Sequence, residues 1–110
     1  VFCFVQEGGD VPQAIAYYRK ALELRPNFPD AFANLVHSLV FVCDWSNRDN
    51  EFSALKEMLA AQLAADNVLP SVQPFHAMAY PLSLAEMQQI SRQYAQRVKM
   101  NVALLEMPSF

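Results

Sequence analysis

Glycine and cysteine are both scarce in this chain, and each scarcity excludes a class of site. The only two glycines, Gly8 and Gly9, are adjacent, whereas a Walker loop or a dinucleotide fingerprint needs several separated glycines. The two cysteines, Cys3 and Cys43, stand far apart with no C-x-x-C motif. The spacing therefore favours neither a zinc site nor a disulfide framework, and it suits a reducing, intracellular setting.

Basic charge is also in short supply. Eight Lys and Arg residues stand against eleven Asp and Glu, for a net charge of −3, and no basic run occurs. Nucleic acid and an anionic membrane surface are therefore not expected as partners. Hydrophobic residues make up 54% of the chain and charged residues 17%, which excludes disorder and indicates that further chain covers part of the surface.

The first half of the chain shows an apolar start followed by two predicted helices. Residues 1–5 are apolar but lack a charged leader and a cleavage site, so we expect the chain to be cut from a longer one. Apolar residues at three- and four-residue spacing predict a helix from Val11 to Leu24, with a capping box between Asp10 and Gln13. A second helix follows Pro29 and runs to Val42.

The second half of the chain contains two further predicted helices around a proline-rich stretch. Ser46 or Asn47 can cap a third helix, which runs to Asn67. Three prolines, at positions 70, 74 and 81, predict an extended loop without regular helix. Ser83 and Glu86 then form a capping box that opens a last helix, ending at Pro108.

Self-similarity at a period of 34 residues is the most informative pattern. Shifting the chain by this period aligns Asp10 with Asp44 and Tyr18 with Phe52, and thirty-four is the tetratricopeptide period. The pattern decays after Asp44, which predicts a capping helix pair. The predicted fold is all-α: tetratricopeptide-type antiparallel helix pairs at the end of a superhelix, then a proline-rich loop and a further helix. The residues that carry the repeat are Gly9, Asp10, Ala14, Tyr18, Ala21, Pro26, Phe32 and Leu35.

Two longer stretches resemble one family. The stretches are PNFPDAFANLVHSLVFVCDW and LPSVQPFHAMAYPLS, at residues 26–45 and 69–83. They resemble the junction between repeats and catalytic region in the protein O-GlcNAc transferases, close relatives of the SPINDLY O-fucosyltransferases. The resemblance divides the chain into a C-terminal repeat segment (1–44), a transition helix (45–69) and the start of the N-terminal catalytic region (70–110).

The resemblance implies an inverting glycosyltransferase of the nucleus and cytoplasm. Such an enzyme moves N-acetylglucosamine from UDP-GlcNAc to Ser or Thr of proteins, with acceptor polypeptide in the repeat groove and no metal or other cofactor. The donor would be bound mainly by chain outside these residues, so this chain alone is not expected to be active. Upstream repeats could form a homo-oligomer. The alternatives are a non-enzymatic tetratricopeptide adaptor that binds peptides and an O-fucosyltransferase of the same family.

The resemblance also implies particular site residues. Gln73 and Phe75 replace histidines that the family tends to carry, which leaves His76 as the matching catalytic histidine. An imidazole could hydrogen-bond the reacting groups or assist deprotonation. Asn34 corresponds to the asparagine that recurs along the groove, where an amide can hold a peptide backbone; it could equally bond neighbouring repeats. Tyr80 is the second predicted substrate-binding residue, through its hydroxyl. Trp45 is expected to be a buried anchor.

Overall fold

The computed structural model describes residues 10–65 and 68–105, and within them it confirms the all-α prediction. Five helices, numbered here in chain order, lie in this part of the chain and no strand does. Parts of the sequence predictions rest on residues outside these ranges, namely Cys3, Gly9, Asn67 and Pro108. The helices are α1 (Val11–Leu24), α2 (Pro29–Phe41), α3 (Arg48–Ala64), α4 (Pro74–Ala77) and α5 (Leu84–Leu104).

The chain divides into two compact units, Val1–Met58 and Leu59–Phe110. The boundary lies inside α3, so this helix contributes to both units. The first unit otherwise contains α1 and α2, and the second contains α4, α5 and the proline-rich segment between α3 and α5.

The first unit is built on the contact between α1 and α2. Its core consists of Ala14 and Tyr18 from α1 and Leu35 and Leu39 from α2. Tyr18 and Ala14 are one turn apart on a single helical face, which is the spacing that the amphipathic pattern predicts. The small Ala14 side chain leaves room for close approach of the two helices, while Tyr18 supplies apolar area.

The predicted capping box at the start of α1 is wrong. Asp10 has extended backbone, as an N-cap residue does, and its carbonyl accepts a 2.9 Å hydrogen bond from the Ala14 N–H. Its side chain, however, makes no capping bond. The Gln13 Nε2 instead donates to the Tyr17 hydroxyl at 3.3 Å, because residues four apart on a helix are neighbours and the two side chains meet there.

The end of α2 is closed by backbone bonds around a left-handed residue. The Asp44 N–H donates to the Leu39 carbonyl at 2.9 Å and the Cys43 N–H to the Val40 carbonyl at 3.0 Å. This is the Schellman arrangement, in which the residue after the C-cap usually is glycine. Here Cys43 occupies it, with φ of 59°, and a side chain in this region is under steric strain.

Replacing Cys43 by glycine is expected to stabilise the first unit. Relief of the left-handed strain favours the variant by about 1–2 kcal/mol, and the greater backbone entropy of unfolded glycine offsets about 0.5–1 kcal/mol of this gain. We expect a net rise in the free energy of unfolding of roughly 0.5–1 kcal/mol, measured by urea denaturation of the chain. Cys43→Ala is the control, since it keeps a Cβ and should not stabilise; a gain as large in that variant would contradict the strain.

α3 begins directly after one of its two predicted caps. The Asn47 carbonyl accepts the Glu51 N–H at 3.0 Å, and the Asn47 Oδ1 accepts the Asn50 side-chain amide at 2.8 Å. The other candidate, Ser46, donates its hydroxyl to Asp44 Oδ1 at 2.6 Å. Along α3 the buried side chains are Phe52, Leu55 and Leu59, and the helix ends at Ala64, earlier than the sequence predicts.

Hydrogen bonds from two helices order the proline-rich segment of the second unit. Gln62 of α3 holds Ser71 with both ends of its amide: Oε1 accepts the Ser71 N–H at 2.9 Å and Nε2 donates to Ser71 Oγ at 2.8 Å. From α5, the Tyr94 hydroxyl donates to the Pro70 carbonyl at 2.7 Å. The segment is therefore ordered, as predicted, although its backbone is not extended throughout.

The prediction that this segment contains no regular helix is wrong for Pro74–Ala77, which form the one-turn helix α4. Pro74 lies in its first turn, where the missing N–H would have no partner within the helix and the fixed φ is helical. Proline therefore starts this turn instead of preventing it.

The predicted capping box at the start of α5 is confirmed. Ser83 Oγ accepts the Glu86 N–H at 3.1 Å, and Glu86 Oε1 accepts the Ser83 N–H at 3.2 Å. Helix α5 ends at Leu104, before the predicted limit. Ile90 is its fully buried residue, and the Gln93 amide donates to the Leu63 carbonyl at 3.2 Å.

Candidate functional site

His76, the predicted catalytic residue, lies in α4 of the second unit. Its side chain is half-buried, and this burial lowers the pKa of the imidazole below its ordinary value, because a charged ring loses solvation there. The imidazole is therefore neutral at pH 7, the form that can accept a proton. The backbone carbonyl of His76 accepts a hydrogen bond from the Ala79 N–H at 3.1 Å, and this bond closes the turn after α4.

Exposed apolar side chains flank His76. Phe75 and Met78 are 80% and 75% exposed, and residues three apart on a helical turn lie on one face. The two side chains therefore provide exposed apolar surface next to His76. The sequence did not predict this surface, because periodicity cannot be read from a single turn between prolines.

Tyr80, the second predicted substrate-binding residue, has a buried side chain in the same segment. It is 6% exposed, and burial raises the pKa of its phenol to about 12. The hydroxyl is therefore protonated over the whole physiological range. In the second unit Tyr80 contributes to the buried core, along with Val72, Ala77 and Leu82.

Asn34, the predicted acceptor-binding residue, lies in α2 of the first unit. Its side chain is half-buried. The backbone carbonyl of Asn34 accepts a 2.9 Å hydrogen bond from the Ser38 hydroxyl. This bond gives the Ser38 hydroxyl a hydrogen-bond partner, as a buried polar group requires.

The expectation that Trp45 is a buried anchor is wrong, since its side chain is 59% exposed. The physical reason lies in its position. Trp45 follows the left-handed turn that ends α2 and precedes α3, so it belongs to neither helical stripe. The general tendency of tryptophan to be buried does not decide its place here.

The first unit also contains a cleft of about 470 Å³ that the sequence does not reveal. It lies between the floor residues Phe32, Leu35 and Leu39 of α2 and a set of polar side chains. The polar lining consists of Arg19, Asp44, Ser46, Asn47 and Glu51. No motif predicts this cleft, since its residues come from three helices and a turn.

The charged groups of this cleft influence one another. Hydrogen bonds from the Ser46 hydroxyl and N–H lower the pKa of Asp44, and the Arg19 charge adds to that effect. Burial and the neighbouring Asp44 charge raise the pKa of Glu51, while Arg19 acts in the opposite direction. Asp44 is thus ionised at neutral pH, whereas burial and the Asp44 charge oppose the ionisation of Glu51.

Residues 10–65 and 68–105 contain neither a metal-binding cluster nor a membrane span. No three or more His, Cys, Asp or Glu side chains in these ranges are grouped so that they could hold a metal ion. No helix there has the length and apolar character needed to cross a membrane.

Comparison with known proteins assigns both halves of the chain. A tetratricopeptide repeat profile matches residues 7–37, and the profile of glycosyl transferase family 41 matches residues 42–110. Over 76 residues the chain is 41% identical to a protein of Arabidopsis thaliana described as a probable UDP-N-acetylglucosamine–peptide N-acetylglucosaminyltransferase SEC. The aligned part covers 69% of this chain and 8% of the relative's length.

These matches define a helical-repeat segment joined to a glycosyltransferase segment. The chain belongs to glycosyl transferase family 41, which confirms the resemblance drawn from the sequence motifs. The part of this chain that aligns spans about 8% of the length of the Arabidopsis relative.

Proposed function

We propose that this chain serves in a protein O-GlcNAc transferase, which transfers N-acetylglucosamine from UDP-GlcNAc to Ser or Thr hydroxyls of nuclear and cytoplasmic proteins. The observation that carries the proposal is the family 41 match over residues 42–110, supported by the 41% identity to a relative described as a probable peptide N-acetylglucosaminyltransferase. In this proposal the end of the repeat array is formed by residues 1–44, the transition helix by residues 45–69 and the start of the catalytic region by residues 70–110.

Within this proposal His76 acts on the acceptor. Its imidazole is neutral at pH 7 because burial lowers its pKa, so it can accept a hydrogen bond, or the proton, from the acceptor hydroxyl. The acceptor oxygen forms the new bond to the anomeric carbon, the bond from that carbon to UDP breaks, and inversion results. Phe75 and Met78 present apolar surface beside His76, which would exclude water once covered.

The repeat segment would hold acceptor polypeptide. Asn34 lies in α2, within the tetratricopeptide match, and its amide offers both a donor and an acceptor to a peptide backbone. Tyr80 is proposed as a further substrate contact. Its side chain is largely buried and its phenol stays protonated at neutral pH, so the hydroxyl would act as a neutral hydrogen-bond donor to the substrate.

A transfer assay on the whole protein that carries this chain tests the proposal. Labelled sugar is supplied as UDP-GlcNAc or GDP-fucose to an acceptor protein, with heat-denatured enzyme as control. We expect label to move from UDP-GlcNAc only. Transfer from GDP-fucose alone would assign the protein to O-fucosylation. The tetratricopeptide match also fits a peptide-binding adaptor, and peptide binding without transfer from either donor would favour that function.

A further inference from the structure

The cleft of the first unit combines an apolar floor with carboxylates, and this combination selects a particular kind of ligand. Phe32, Leu35 and Leu39 form the floor. An aliphatic stem can lie on such a surface while its charged end stays near solvent, as lysine and arginine side chains do. We propose that the cleft binds the lysine or arginine side chain of a partner polypeptide, with the cation between Asp44 and Glu51.

Charge complementarity favours this occupant. Two carboxylates and one guanidinium line the cleft, so its formal charge is negative when all three groups are ionised. Arg19 acts on both carboxylates through space, and in the described part of the chain no direct ion pair joins it to either. A ligand cation would lie beside two carboxylates, of which Asp44 is exposed and Glu51 is half-buried, so added salt should weaken the attraction.

The state of Glu51 supports the same conclusion. Burial and the Asp44 charge both work against ionisation of Glu51. A cation beside it would reverse that effect and hold the carboxylate ionised. Asp44 is oriented by two hydrogen bonds from Ser46, at 3.2 Å from the N–H and 2.6 Å from the hydroxyl. One carboxylate is thus already positioned before the ligand arrives, which lowers the entropy lost on binding.

The volume and position of the cleft suit a side chain carried by a polypeptide. About 470 Å³ is within the usual range for ligand sites, roughly 300–1,000 Å³. The lining of the cleft comes from α1, α2, α3 and the turn between α2 and α3. Asn34 does not line the cleft, so the inference goes beyond the proposed function: it adds recognition of a basic residue, which sugar transfer to a hydroxyl does not itself require.

Peptide binding measured by fluorescence anisotropy tests the inference on the chain itself. The probes are two fluorescein-labelled peptides, acetyl-Ala-Ala-Lys-Ala-Ala-amide and the same peptide with norleucine, which keeps the aliphatic stem without the charge. We expect the lysine peptide to bind about fivefold or more tightly than the norleucine peptide at low salt, and the difference to shrink as salt is added.

Variants then locate the binding. Glu51→Gln should remove most of the preference for lysine, whereas Glu57→Gln, an exposed carboxylate on the same helix, should leave it unchanged. Asp44→Asn keeps an oxygen that can accept the Ser46 bonds and should also weaken the preference. Circular dichroism establishes that each variant folds.

Equal affinity for the two peptides would overturn the inference, as would a preference for lysine that survives Glu51→Gln in the folded protein. No sugar donor is present in these titrations. Their result is therefore independent of whether the proposed transferase activity is found.

Discussion

His76→Ala is expected to lower the rate of sugar transfer by about 10²–10⁴-fold in the whole protein that carries this chain, the range for loss of a positioned acid–base group. The reason is that a neutral, half-buried imidazole can take the acceptor proton, and a methyl group cannot. The rate is measured with UDP-GlcNAc and a protein acceptor at saturating concentrations. Gln88→Ala, an exposed position in the same unit, is the control.

The pH profile separates a proton-transfer role from a structural one. Because burial lowers the pKa of His76, the imidazole stays neutral, and active as a base, until the pH falls below the ordinary histidine value of about 6.5. Activity should thus persist to a lower pH than for an exposed histidine, and the acid limb of the profile should disappear in His76→Ala. Unchanged transfer by the folded variant, or an acid limb that survives the substitution, would show that His76 has no such role.

Ile90→Ala is expected to destabilise the second unit by about 2–5 kcal/mol. Ile90 is fully buried, with 0% exposure, so the substitution removes buried apolar atoms and leaves a cavity that neighbouring side chains fill only in part. The free energy of unfolding is measured by urea denaturation of the chain, followed by circular dichroism.

Val98→Ala is the matched control, since Val98 lies on the same helix and is 60% exposed. Its effect should stay within about 0.5 kcal/mol. If Ile90→Ala lowered the free energy of unfolding by less than about 1 kcal/mol, the buried position of this side chain would be contradicted. Helix propensity alone favours alanine by only about a few tenths of a kcal/mol.

Local signals in the sequence predicted local structure, except where a neighbouring side chain competed. Ser83 and Glu86 form the predicted capping box because each finds its partner within one turn. Asp10 and Gln13 have the same spacing, yet Gln13 bonds the Tyr17 hydroxyl. Spacing alone does not identify such a competitor. Pro74 illustrates the same limit, since a proline can end one helix or begin another, and its own identity does not distinguish the two.

The candidate site was predictable only where a motif carried it. His76 and Asn34 were selected by resemblance, and their roles stay predictions. The cleft could not be found in this way, because Arg19, Asp44 and Glu51 are scattered along the chain and form no motif. They meet through the turn after α2, whose left-handed residue is a cysteine and therefore gave no glycine signal.

The turn that ends α2 also provides a means of observing the cleft. Cys43 is an exposed thiol and directly precedes Asp44, a lining residue. In a Cys3→Ser background, a maleimide dye attached to Cys43 would sit beside the cleft, on backbone fixed by the bonds to Leu39 and Val40. The emission of such a dye would respond to an arriving peptide directly, so that binding could be followed in real time without a label on the partner.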